Sequence, residues 1–292
     1  MSLTEKLMNN TTFLHDILSQ PASLETALNK TDLKSLNQLS LALRTNQIDR
    51  IVITGMGASY YGSYPAWLLL VQRQLNAFWV DTAELLHYAH SLLTPKTLLW
   101  IVSQSGRSAE LLPLIEPAQR NKINCLLATV NELESPLAKS ADIVLPIHAA
   151  PETTVSTRTY LNSLAINQLA ALHISSHPTA GARTDLESTA RAIGHYLTQV
   201  ESHYQSIKSM LGNPLHIAVL GRGPSMATAF TGALIISEAA KYPALALNTA
   251  EFRHGPMEMI HKDLTALVFA GDDDAIANNR RMAVEIIACG AR

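Results

Sequence analysis

Leu98 to Val102, LLWIV, is an apolar run of five residues that stops on Ser103, Gln104, Ser105 and Gly106. A run this short, apolar on both faces and closed by turn-forming residues, reads as a strand buried inside a parallel sheet. Such a strand has to be covered by helices on both sides. The first half of the chain repeats the pattern, with strands expected at 51–54, 79–81, 98–102, 124–129 and 142–145 and helical segments between them. The expected fold class is therefore α/β, a parallel sheet flanked by helices in three α/β/α layers. The apolar residues for it are present: 47% of the 292 residues are hydrophobic and only 16% charged, a balance unlike that of disordered chains.

The residues just after LLWIV carry the first chemistry. Ser103, Gln104, Ser105 and Ser108 surround a strand-to-helix turn, where main-chain N–H groups at a helix start would bind an anion such as a phosphate. The alternative is an ordinary junction whose serines cap the helix. A second turn, Gly55, Met56, Gly57, Ala58 and Ser59, follows the 51–54 strand. It is not GxGxxG, because position 60 is Tyr, so a dinucleotide site is not supported. A third hydroxyl-rich stretch, residues 151–158 (PETTVSTR), enters a long helix running to Ile174; its hydroxyls line the same cleft or cap that helix.

The pattern then recurs. IVITGMGASY at 51–60 matches IAVLGRGPSM at 217–226 with an offset of 166, pairing Gly55 with Gly221, Gly57 with Gly223 and Ser59 with Ser225. The same offset lays 100–102 on 266–268, again a strand. The reading is an internal duplication in which the second copy lacks the hydroxyl turn, since 103–105 falls on Phe269, Ala270 and Gly271. One phosphate site per chain is expected. The organisation is then a helical arm over 1–48, with one helix spanning 23–43, a first unit over 49–180, a linker within 175–195, and a second unit over 195–292. That second unit is expected to be incomplete, with 21 residues after Gly271.

The second half supplies groups that move protons. Glu238 lies on the helix after the second glycine turn, and His254 lies in the stretch 248–258, NTAEFRHGPME. A glutamate on a mostly apolar helix is costly to bury unpaired, which is how a carboxylate becomes a general base, and Glu with His suits proton transfer between adjacent carbons. The plain alternative is that Glu238 pairs with Lys241 or Arg253 and His254 caps a turn. Other classes are excluded on composition. A net charge of −2 with no basic run gives no footprint for nucleic acid. No stretch of about 20 apolar residues spans a membrane, and the polar start MSLTEKLMNN is no signal peptide. The eleven histidines show no ligand spacing, so no metal and no cofactor are expected. Cys125 and Cys289 read as two buried free thiols of a cytoplasmic protein.

Taken together, SQSGRS, the glycine turn ending in Ser59 and Tyr60, TAEL at 82–85 and AEFRHGP at 250–256 resemble the double SIS (sugar isomerase) family. Within it they resemble the isomerase half of glutamine–fructose-6-phosphate aminotransferase and stand-alone phosphosugar isomerases and aminosugar-6-phosphate deaminases. The resemblance implies two SIS units, a homodimer and a phosphosugar held in the first unit's cleft by Ser59, Ser103, Gln104, Ser105 and Ser108, with contributions near Val155 and Thr157. It implies Glu238 as the base and His254, reaching across from the partner subunit, in ring opening. The implied activity is aldose–ketose proton transfer on an (amino)hexose 6-phosphate, best fitted by a deaminase and not dependent on glutamine. A sugar-phosphate–amine deglycase and a non-catalytic sugar-phosphate sensor are the competing readings. The chain departs from the family pattern at Ala58, where Thr is common, and at Arg107, where an acidic residue is common. The family's imine-forming lysine would lie beyond residue 292.

Overall fold

The computed structural model describes residues 11–120, 122–152, 155–271 and 274–292. Residues 1–10 of the expected arm, and Thr153 and Thr154 of the 151–158 stretch, lie outside the described residues. Two compact units are present, 1–194 and 195–292.

The first unit opens with helices α1 (Thr11–Leu18), α2 (Gln20–Lys30) and α3 (Asn37–Arg44). The single helix expected over 23–43 is broken. Thr31 takes an extended conformation after α2, and the Asp32 carboxylate accepts the Lys34 N–H at 2.9 Å, a local bond that competes with helix continuation. Next come β1 (Arg50–Gly55), α4 (Gly57–Gln72), β2 (Ala77–Trp79), α5 (Thr82–His87), β3 (Thr97–Ser103), β4 (Cys125–Val130), β5 (Ile143–Pro146) and α6 (Arg158–Ile174), with short helical turns on either side of β4. The strands pair in parallel in the order β2-β1-β3-β4-β5. All seven residues of β3 are buried, as its unbroken apolar run requires.

Alternation along the strands makes two cores. Ile51, Ile53, Leu98, Trp100, Val102 and Leu127 face one side, against Leu24, Ala27 and Leu28 of α2, Leu39 of α3 and Ala165, Ile166 and Leu169 of α6. Val52, Leu99, Ile101, Leu126 and Ala128 face the other. The N-terminal helices are therefore part of the first core. Buried polar groups are joined in a chain: Trp100 Nε1 donates to Thr129 Oγ1 at 3.0 Å, and Thr129 Oγ1 donates to Asn167 Oδ1 of α6 at 2.8 Å. The stretch expected to be a linker is mostly helix α7 (Ala180–Leu197). Among the described residues no helix is long and apolar enough to cross a membrane.

The second unit holds α8 (Val200–Leu211), β6 (His216–Gly221), α9 (Ser225–Ala240), β7 (Ala244–Asn248), β8 (Leu264–Val268) and α10 (Ile276–Ala288). Its described strands pair in parallel in the order β7-β6-β8, the arrangement that β2, β1 and β3 take in the first unit. β7 was not expected. Its five residues ALALN lie at a sheet edge, Leu245 exposed and the others half-buried, so they carry no continuous buried run. Ala218, Leu220, Phe252, Leu264, Met282 and Ile286 form the core. Cys289 is exposed, not buried as expected, because it follows the last turn of α10; Cys125 is buried on β4.

Candidate functional site

In the sheet of the first unit the chain leaves β1 for β2 on one side and then crosses to β3 on the other. The carboxyl ends of β1 and β3 therefore flank a topological switch point, where open parallel sheets leave a crevice. A cavity of about 270 Å³ lies there, walled by Gly55 and Met56, by Ala58 and Ser59 of α4, by Thr82 of α5, and by Val102 and Ser103 of β3 with the Gln104, Ser105 and Ser108 that follow. Glu152, Ser156 and Thr159 complete its polar lining.

Each wall is held by identifiable bonds. The Thr82 hydroxyl, fully buried, donates to Gly55 O at 2.9 Å and sits 3.0 Å from Thr54 Oγ1, which ties the start of α5 to the end of β1. The Tyr60 ring stacks on Trp79 with centroids 3.7 Å apart, and Trp79 Nε1 donates to Tyr60 O at 3.2 Å. This fixes the first turn of α4, and Ser59 with it, against β2. In the 103–108 turn Ser103 Oγ accepts the Gly106 N–H at 3.0 Å, and Ser105 Oγ accepts the Arg107 N–H at 3.3 Å. Gln104 O accepts the N–H groups of Asn131 and Glu132 and so anchors the turn to the loop after β4. Gly106 has φ +61°, and a β-carbon there would run into the Ser135 side chain, so this position requires glycine.

The sequence places the anion-binding helix end directly after the hydroxyl turn. The structure moves it. After Ser108 come turn residues and a helix of only four residues, Leu112–Ile115, with Pro113 in its first turn. A helix amino end left without a side-chain cap at the cavity is that of α4, 16 residues long, which starts after Met56. Its first N–H groups, together with the Ser103, Ser105 and Ser108 hydroxyls, form a pole suited to an anion.

Ser59, Ser103, Gln104, Ser105 and Ser108 are thus brought together on one wall. Val155 and Thr157 are not on it. Val155 is buried, and Thr157 turns its N–H and hydroxyl onto the Glu152 carboxylate. Their neighbours Ser156 and Thr159 face the cavity instead. Arg107, which stands where the family commonly has an acidic residue, is exposed and donates to Glu134 O at 3.3 Å. Sequence reasoning missed Glu152, whose signal is an acidic residue a few positions ahead of a helix start.

Glu238 and His254 belong to the second unit. Glu238 is exposed near the end of α9, where burial stops with Ala233, so the expectation of a buried carboxylate on this helix is not met within the chain. His254 is exposed in the turn after Phe252, its N–H donated to Glu251 O at 2.9 Å. Arg253, one expected partner of Glu238, pairs instead with Glu285 of α10 at 2.6 Å.

Comparison with known proteins bears on the family and the fold. The SIS domain family matches residues 46–173, the segment that carries β1 to β5 and most of α6. A glutamine–fructose-6-phosphate aminotransferase of Thermus thermophilus is 30% identical over 267 residues, 88% of this chain but 44% of that protein; the chain thus spans less than half of such relatives. Among solved structures, the C-terminal domain of glucosamine-fructose-6-phosphate aminotransferase from Francisella tularensis superposes with TM-score 0.81 at 21% identity, covering 95% of this chain and 80% of that one. A glucosamine-6-phosphate deaminase from Thermotoga maritima does so with TM-score 0.72 at 21% identity, covering 96% and 82%. Residues 46–173, which hold the crevice at the β1–β3 switch point, are a SIS domain, and the chain is related over 88% of its length to a glutamine–fructose-6-phosphate aminotransferase.

Proposed function

We propose that the cavity binds the phosphate of an (amino)hexose 6-phosphate and that the chain is a phosphosugar isomerase or aminosugar-6-phosphate deaminase. One observation carries the reading: Ser59, 44 residues ahead of Ser103, lines the same cavity as Ser103, Gln104, Ser105 and Ser108, beside the uncapped start of α4. A helix end worth about half a positive charge, joined by serine hydroxyls, suits a phosphate monoester of about −1.5 to −2.

We also propose that residues 195–292 supply the groups that act on the sugar's C1 and C2. There His254 would assist ring opening and Glu238 would take a proton from C2 and return it to C1, interconverting aldose and ketose. With an amino sugar the same shift gives a ketimine, which water hydrolyses to the ketose and ammonia. We further propose a homodimer in which His254 of one protomer serves the cavity of the other.

Ser105→Ala tests the anchor. Loss of a hydroxyl bonded to a charged phosphate should cost about 1.5–3 kcal/mol, or roughly 10- to 100-fold in affinity, for a hexose 6-phosphate and almost nothing for the free hexose. Equal losses on both would refute a phosphate role for the turn. Glu238→Gln should abolish turnover and leave sugar-phosphate binding nearly intact; unchanged turnover would remove Glu238 as the base.

A further inference from the structure

Of the helix amino ends that border the cavity, those of α4 and α6 lie side by side. Gly62, in the second turn of α4, faces the Tyr160 ring in the first turn of α6, and a β-carbon at Gly62 would stand 3.3 Å from that ring. The two ends differ in charge. α4 has no side-chain cap. The start of α6 is closed by Glu152, whose carboxylate accepts the N–H groups of Thr157 at 2.9 Å, Arg158 at 2.6 Å and Thr159 at 3.3 Å, and the hydroxyls of Thr157 and Thr159. The Glu152 side chain is only 7% exposed, yet it borders the same cavity as Ser59 and Ser105. One pole therefore offers uncompensated helix N–H groups, and the other offers a carboxylate that has already neutralised its helix.

We propose that Glu152 sets the charge selectivity of the cavity. It confines the ligand's anionic group to the side of α4 and the 103–108 turn and leaves the α6 side to an uncharged or cationic group. The inference rests on the sugar-phosphate reading above and narrows it. The ligand carries one phosphate, and its other end is a hydroxyl, carbonyl or ammonium group. Phosphorylated sugar acids and sugar bisphosphates are rejected. Ser156 and Thr159, whose hydroxyls lie 2.6 Å apart on the lining, supply neutral partners for that end. Arg158 lies 3.9 Å from Glu152 but is shared with Asp16, to which it is bonded at 2.6 Å, so two carboxylates face one guanidinium and a second anion placed beside Glu152 would meet a net negative end, where like charges repel.

Sorbitol 6-phosphate and 6-phosphogluconate share an open six-carbon chain and a phosphate and differ at C1, a hydroxymethyl group against a carboxylate. Calorimetric titration of the chain with each gives an affinity ratio. The wild-type ratio should favour sorbitol 6-phosphate by at least about tenfold, the factor that corresponds to about 1.4 kcal/mol. Glu152→Gln, which keeps one acceptor for α6, should shrink the ratio by about the same factor, and Glu152→Asp should keep it. Equal wild-type affinities, or a ratio unmoved in Glu152→Gln, would overturn the proposal. If Glu152→Gln does not fold, the wild-type ratio still decides. Binding of neither ligand removes the sugar-phosphate reading and the proposal with it, whereas tight sorbitol 6-phosphate binding with an unmoved ratio removes the proposal alone.

Discussion

Replacing Arg158 by Met should destabilise the first unit by about 3 kcal/mol, and the structure shows why this exceeds the cost of removing its partner. Arg158 Nη2 lies 2.6 Å from Asp16 Oδ1 of α1, donates to Pro151 O at 2.9 Å, and the Arg158 Nε lies 3.9 Å from Glu152. Asp16, Glu152 and Arg158 side chains are each no more than 7% exposed. Arg158→Met leaves two buried carboxylates, Asp16 and Glu152, without the cation that lies beside both. Breaking a buried pair in this way costs about 3–5 kcal/mol. The lower end applies because the contact to Asp16 is made through one nitrogen rather than a bidentate fork. Asp16→Asn leaves Arg158 still held by Pro151 O and near Glu152, and should cost about 1–2 kcal/mol. The three tryptophans, Trp67, Trp79 and Trp100, all belong to the first unit, so urea denaturation followed by tryptophan fluorescence reports on that unit alone. For a unit of this size about 3 kcal/mol lowers Tm by about 6–12 °C. A loss below about 1 kcal/mol for Arg158→Met, or an equal loss for Asp16→Asn, would refute the argument that Arg158 compensates both carboxylates.

Burial, with Asp142 beside it, pushes the Cys125 thiol up to about 12, so at pH 8 only about one molecule in ten thousand carries the reactive thiolate. A thiol reagent should therefore label one cysteine in the native chain, the exposed Cys289, and two after denaturation; two fast native equivalents would contradict the burial of β4. Burial, with Lys30 nearby, holds the His148 imidazole below its ordinary value. Its contribution is then present above the unfolded value near 6.5 and is lost as pH falls through it, so wild type should weaken between about pH 7 and 5 more than His148→Asn, a change that tolerates the position's φ of +57°. Gly106→Ala should cost more than the about 1 kcal/mol of an ordinary glycine replacement and weaken phosphate binding, because the turn must shift off Ser135; unchanged inorganic phosphate affinity, measured by calorimetry, would show that the turn geometry is not used.

The sequence by itself determined the sheet and one wall of the site. The five strands expected in the first unit are present within a residue or two; β1, β3 and β4, covered on both faces, leave a nearly unbroken apolar signature, and turn residues mark where they stop. The 103–108 hydroxyls and Ser59 were legible for the same local reason: they sit where strands end. Tertiary structure decided which helix offers its amino end. The 103–108 turn looked like a helix start, yet α4, entered some fifty residues earlier, supplies it, since the switch point sets β1 beside β3. It also decided that Glu152 caps α6 and borders the cavity, that Ser156 and Thr159 rather than Val155 and Thr157 face it, and that Glu238 is exposed within its own chain. Periodicity within one segment records which side of that segment is apolar. Which charged groups meet across a crevice depends on how the crossover helices pack, and no single segment encodes that.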